Sequence, residues 1–78
     1  SPACIVRGET TVSDCVRHMR DHGIGSILIV KDTFEGDLIG IFTERDLLKN
    51  IDQIQLGGYW NKPIKMIMTS PVISLDIG

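Results

Sequence analysis

No long hydrophobic run, almost no aromatic content and no excess of either charge: these absences bound what the chain can do. No apolar stretch approaches the ~20 residues that cross a bilayer, so membrane insertion is not expected. The 8 basic and 10 acidic residues leave a net charge of −2, which gives no electrostatic footprint for a nucleic acid or an anionic membrane. Ser1 to Val12 lacks the basic and then apolar build of a signal peptide, and the chain reads as cytosolic. Only two cysteines are present, Cys4 and Cys15. Their spacing matches neither a disulfide framework nor a CxxC redox or zinc pattern, so both read as reduced, buried small hydrophobes. Aromatics make up 5% of the chain. Tyr59 and Trp60 have no basic residues clustered around them and read as cover for a sheet or a subunit seam, not as a nucleic-acid stacking pair. At 78 residues the chain buries only a modest share of its surface and stands to gain from association.

What is present is a regular succession of elements. Cys4-Ile5-Val6 is a short strand-like run. Thr11-Val12-Ser13-Asp14 is a T-x-x-D capping box opening a helix that Gly23 should end. Val12, Cys15, Val16 and Met19 fall on one face of that helix, with Arg17, Arg20 and Asp21 on the other. Ser26-Ile27-Leu28-Ile29-Val30 is continuously apolar and β-branched, as expected for a strand covered on both faces. Lys31 to Asp37 is a polar turn containing Gly36, and Leu38-Ile39-Gly40-Ile41-Phe42 should pair antiparallel with the preceding strand. Thr43-Glu44-Arg45-Asp46 repeats the capping pattern and opens a second helix through Leu47, Leu48 and Ile51. Gly57 to Pro63 breaks the periodicity, and a short helical turn follows at Ile64 to Met68. The fold class is α/β (α+β): a small sheet with two helices packed on it.

Ser1-Pro2 and Ser70-Pro71 each lead into an apolar run, the second being Val72 to Leu75. The chain therefore divides into a repeat over 1–56, a linker over 57–69 and the first strand of a second, incomplete repeat over 70–78. A unit cut from a tandem array seldom completes its buried face or ligand site alone. The β-α-β-β-α order, the Thr11-Val12 helix start, Met19, the Ile24-Gly25-Ser26 strand entry, the G-h-x-T-x-x-D stretch from Gly40 to Asp46 and the I-M-T-S-P-V run from Ile67 to Val72 together resemble the CBS domain, the regulatory repeat named after cystathionine β-synthase. The resemblance covers most of the chain. It implies paired repeats forming a Bateman module, adenosine-containing ligands in the clefts between them, and a sensor or regulatory role, not catalysis.

The residues assign roles within such a site. A helix start offers free amides and the positive end of the helix dipole, so Thr43 and the first-turn amides are expected to hold a phosphate oxygen. Arg45 adds a guanidinium fork suited to the same group. Asp46 suits a pair of ribose hydroxyls, and Thr11, Val12, Ile24, Gly25 and Ser26 are expected to form the adenine slot. The plainer reading of Thr43 and Asp46 is a capping box alone, since Thr11 and Asp14 share the spacing. Cys15, His18 and His22 have helical ligand spacing, but Cys15 is expected in the core and no metal site is assigned. No nucleophile has an evident base and orienting acid, so no catalytic residue is assigned.

The expected function is thus a regulatory domain taking AMP, ADP, ATP or S-adenosylmethionine as ligand, with no required cofactor. Its expected partners are a second copy, joined through the helices, and an effector protein or domain. The alternative is a purely structural dimerisation element without ligand.

Overall fold

The computed structural model describes residues 4–31 and 37–70. Ser1-Pro2, the turn at 32–36, Pro71 and the strand expected at Val72 to Leu75 lie outside the described residues. The order is β1 (Cys4–Arg7), α1 (Val12–His22), β2 (Ser26–Val30), β3 (Leu38–Thr43), α2 (Glu44–Lys49) and α3 (Ile51–Leu56), followed by 3-10 turns at Tyr59–Asn61 and Ile64–Met66. The strands form one sheet in the order β1-β2-β3, with β1 parallel and β3 antiparallel to β2. A parallel pair needs a crossover, and α1 supplies it.

Local chemistry sets the limits of α1. Thr11 is extended, and its Oγ1 accepts from the Asp14 amide at 3.2 Å. Gly23 takes the left-handed conformation (φ 62°), and the Ile24 amide turns back to the Met19 carbonyl at 3.1 Å. The capping box is only half formed, because the Asp14 carboxylate pairs with Arg17 at 2.9 Å on the exposed surface.

The second helix departs from the expected single run through Ile51. It is two six-residue helices broken at Asn50, whose backbone sits at φ −107°, ψ 14°. Asn50 Nδ2 donates to the Asp46 carbonyl at 2.8 Å, ending α2 with its own side chain. Ile54 N then bonds to Asn50 O at 2.9 Å and α3 starts afresh, swinging Ile54 fully into the core.

Val12, Cys15 and Met19 of α1, Ile27 and Ile29 of β2, Phe42 of β3, Ile54 of α3, and Ile24, Ile64 and Ile67 make one buried cluster. The helices therefore lie on one face of the sheet. Tyr59 and Trp60 pack partly buried against this cluster, as cover for the core. The described residues do not cover β2 on both sides: Ile27 and Ile29 are buried, while Leu28 and Val30 point to the other face and are only half-buried. Strand register aligns Ile5 with Leu28 and Leu28 with Ile41, an apolar row across that outer face, and Ile5 is 62% exposed. Among the described residues the helices form a single layer, on the opposite face.

After the second 3-10 turn the chain returns to the sheet. Ile41 and Thr69 exchange two backbone hydrogen bonds of 2.9 Å each. Met68 crosses directly over Gly40, where a methyl group would come within 2.7 Å of Met68 Cγ.

Candidate functional site

The pairing of Ser26 with Thr43 brings the entry of β2 beside the start of α2. Glu44 N donates to Gly25 O at 3.1 Å, joining the two segments directly. A methyl group at Gly25 would stand 3.2 Å from Glu44 Oε1, the tip of an exposed side chain. Ile24, Gly25, Ser26, Thr43, Arg45 and Asp46 thus converge on one end of the sheet.

Asp46 is 9% exposed and both oxygens of its carboxylate accept from the chain itself. Oδ2 accepts from Thr43 N at 3.0 Å and Thr43 Oγ1 at 3.1 Å, and Oδ1 accepts from Thr69 Oγ1 at 2.9 Å. The Asp46 amide donates in return to Thr43 Oγ1 at 3.2 Å, completing a reciprocal capping box. Capping is therefore one role of this pair, as the plainer reading holds, and it is more complete here than at Thr11 and Asp14. Two of the three first-turn amides expected to be open to phosphate, those of Glu44 and Asp46, are already taken. Arg45 is exposed and makes no ion pair among the described residues. It is the cation at this end that remains open to an anion.

Thr11 and Val12 are not brought to this site. Because β1 and β2 are parallel, α1 runs the length of the sheet: Thr11 follows the end marked by Arg7 and Val30, whereas Ser26 and Thr43 mark the opposite end. Thr11 pairs there with Pro63, and Val12 is fully buried, its amide bonded to Lys62 O at 3.0 Å. The start and the end of a crossover helix cannot share one end of a parallel pair.

Thr69 is the residue that sequence reading passed over. The I-M-T-S-P-V run marks the segment, but its side chain reaches Asp46 across 23 positions of sequence, and only the return of the chain along β3 makes that contact. Beside the site, an open cavity of about 350 Å³ runs between α1 and α2, lined by Val16, Met19, Arg20, Gly23, Ile24, Glu44 and Leu47.

Cys15 faces the core while the rings of His18 and His22 stack at 6.0 Å. Among the described residues no three His, Cys, Asp or Glu side chains are grouped to hold a metal ion. Burial, with smaller contributions from Cys4 and Asp14, pushes the Cys15 thiol up to about 12. No described helix is long and apolar enough to cross a membrane.

Comparison with known proteins agrees with this architecture. The CBS domain family model matches residues 1–53. The CBS domain-containing protein CBSX3, mitochondrial, of Arabidopsis thaliana is 42% identical over 70 residues, covering 81% of this chain and 34% of its own. The crystal structure of the CBS-domain containing protein ATU1752 from Agrobacterium tumefaciens superposes with a TM-score of 0.77 at 25% identity, over 92% of this chain and 52% of that one. The CBS domain pair of protein MJ0100, solved in complex with 5′-methylthioadenosine and S-adenosyl-L-methionine, gives a TM-score of 0.69 at 28% identity, over 92% of this chain and 54% of that one. The chain spans between 16% and 38% of the curated relatives it matches and about half of these two solved chains. A three-stranded sheet backed by helices on one face, the T-x-x-D helix start at its end, and a family model covering 53 residues from the first have one reading: the chain belongs to the CBS domain family.

Proposed function

We propose that this chain is a regulatory unit that binds an adenosine-containing ligand at the sheet end formed by Ile24, Gly25, Ser26, Thr43, Arg45 and Asp46. The observation that carries the reading is the convergence of the β2 entry and the α2 start, fixed by the Glu44 N to Gly25 O bond, on a carboxylate and an uncommitted guanidinium. A carboxylate is the natural acceptor for a ribose diol, and an arginine fork suits a phosphate. The family neighbour MJ0100, crystallised with 5′-methylthioadenosine and S-adenosyl-L-methionine, supports the ligand class.

The site is completed by a second copy or a following repeat. The apolar stripe of α1 is used within the chain, and two apolar surfaces stay open among the described residues: the outer row of Ile5, Leu28 and Ile41 on the sheet, and Leu48 and Leu56 on the helices, 72% and 88% exposed. The groove between α1 and α2 offers a second seam, through the helices. Either pairing places ligand occupancy at a boundary between units, where it can be passed to an attached effector.

A thermal-shift screen of AMP, ADP, ATP and S-adenosylmethionine tests the reading. A ligand at a hundred times its Kd should stabilise the chain by about 2.7 kcal/mol. Arg45→Ala should weaken phosphate-bearing ligands about tenfold and leave S-adenosylmethionine unaffected. No shift with any of the four supports a structural interaction element instead.

A further inference from the structure

We infer that Thr69 is a latch on the ligand site: its hydroxyl occupies Asp46 Oδ1, and a bound ribose takes its place, freeing the segment that follows the domain. The inference rests on the ligand reading above and adds to it how occupancy leaves the site. Asp46 is nearly buried, and all three donors on its carboxylate belong to the chain. A ribose diol needs two acceptor sites on one carboxylate, so at least one of those donors must withdraw. The Thr43 amide is fixed by the capping box, and the Thr43 hydroxyl also accepts from the Asp46 amide, so displacing either would unravel the first turn of α2.

Thr69 is different. It is exposed, lies outside every helix, and leaves Asp46 by rotation of one side-chain bond. The exchange replaces one hydroxyl donor with another, so Oδ1 keeps a donor throughout. Beyond this contact Thr69 is held to β3 by the two backbone bonds with Ile41. Release of its side chain removes one of the three hydrogen bonds that tie Thr69 to the sheet and α2 among the described residues, and the backbone bonds then open more often.

Hydrogen exchange of the Ile41 and Thr69 amides, followed by NMR with and without AMP or S-adenosylmethionine, tests the latch. Saturating ligand should speed exchange at these two amides while slowing it in α2, the reverse of the general protection that ligands confer. Thr69→Val should bind the same ligand about two- to tenfold more tightly, the worth of one net hydrogen bond. Its two amides should exchange fast from the outset and not respond to ligand, and Thr69→Ser should restore wild-type behaviour. Ligand binding that slows exchange at Ile41 and Thr69, or a Thr69→Val variant that binds more weakly, would overturn the latch and leave the ligand reading intact. Absence of binding by the wild-type chain would overturn the ligand reading itself.

Discussion

Cys15 shows how much a single position can report. Its thiol is buried and keeps its proton to about pH 12 in the folded chain, against 9.0 for the ordinary group. The unfolded chain releases that proton near pH 9, so rising pH favours unfolding across the window from 9 to 12. Stability should fall over that range in the wild type and fall less in Cys15→Ala, measured by urea unfolding at several pH values. An alkylating reagent at neutral pH should modify Cys4, which is half-buried, well before Cys15; equal rates would show that the core is open. Gly40 makes a second test at this scale. Gly40→Ala drives a methyl group into Met68 and should cost about 1–3 kcal/mol by chemical denaturation, as overpacking does.

The two helix starts share a sequence pattern and differ in energetics. Thr11 caps with one bond, whereas Thr43 accepts one, donates one and holds a carboxylate that is itself buried. Thr11→Ala should therefore cost about 1 kcal/mol. Thr43→Ala should cost nearer 2–3 kcal/mol, because it leaves a buried carboxylate oxygen short of a donor; equal losses would put Asp46 in water. Much of this level was legible in the sequence. Both T-x-x-D starts, the Gly23 stop and the antiparallel pairing of β2 with β3 all follow from local chemistry. The break at Asn50 was not, because Leu47, Leu48, Ile51 and Ile54 keep a helical spacing through it, and the competing bond from an asparagine side chain leaves no periodic trace. The placing of Thr11 and Val12 was not legible either, because it depends on β1 and β2 being parallel, a relation between strands 22 residues apart that no local pattern encodes. Thr69 belongs to the same class: its neighbours in sequence say nothing of Asp46.

For the molecule as a whole, the decisive fact is that, among the described residues, one face of the sheet has a helical layer and the other carries the apolar row of Ile5, Leu28 and Ile41. The continuous apolar run of β2, read from sequence as a strand covered on both sides, leaves Leu28 and Val30 half-buried among the described residues, and the second unit proposed above would cover them. Ile41→Lys should accordingly keep the fold but shift sedimentation at micromolar concentration toward the monomer mass. An unchanged distribution would assign association to the groove between α1 and α2.

The central claim, that an adenosine ligand is held at Asp46, is tested most directly by titration calorimetry of the chain and of Asp46→Asn with AMP and S-adenosylmethionine. The variant preserves the size of the side chain and one oxygen acceptor, and circular dichroism serves as its folding control. The account predicts saturable binding of at least one ligand by the wild type and a loss of about tenfold or more in the folded variant. Equal affinity in the two proteins, or no heat of binding from either ligand, would contradict it.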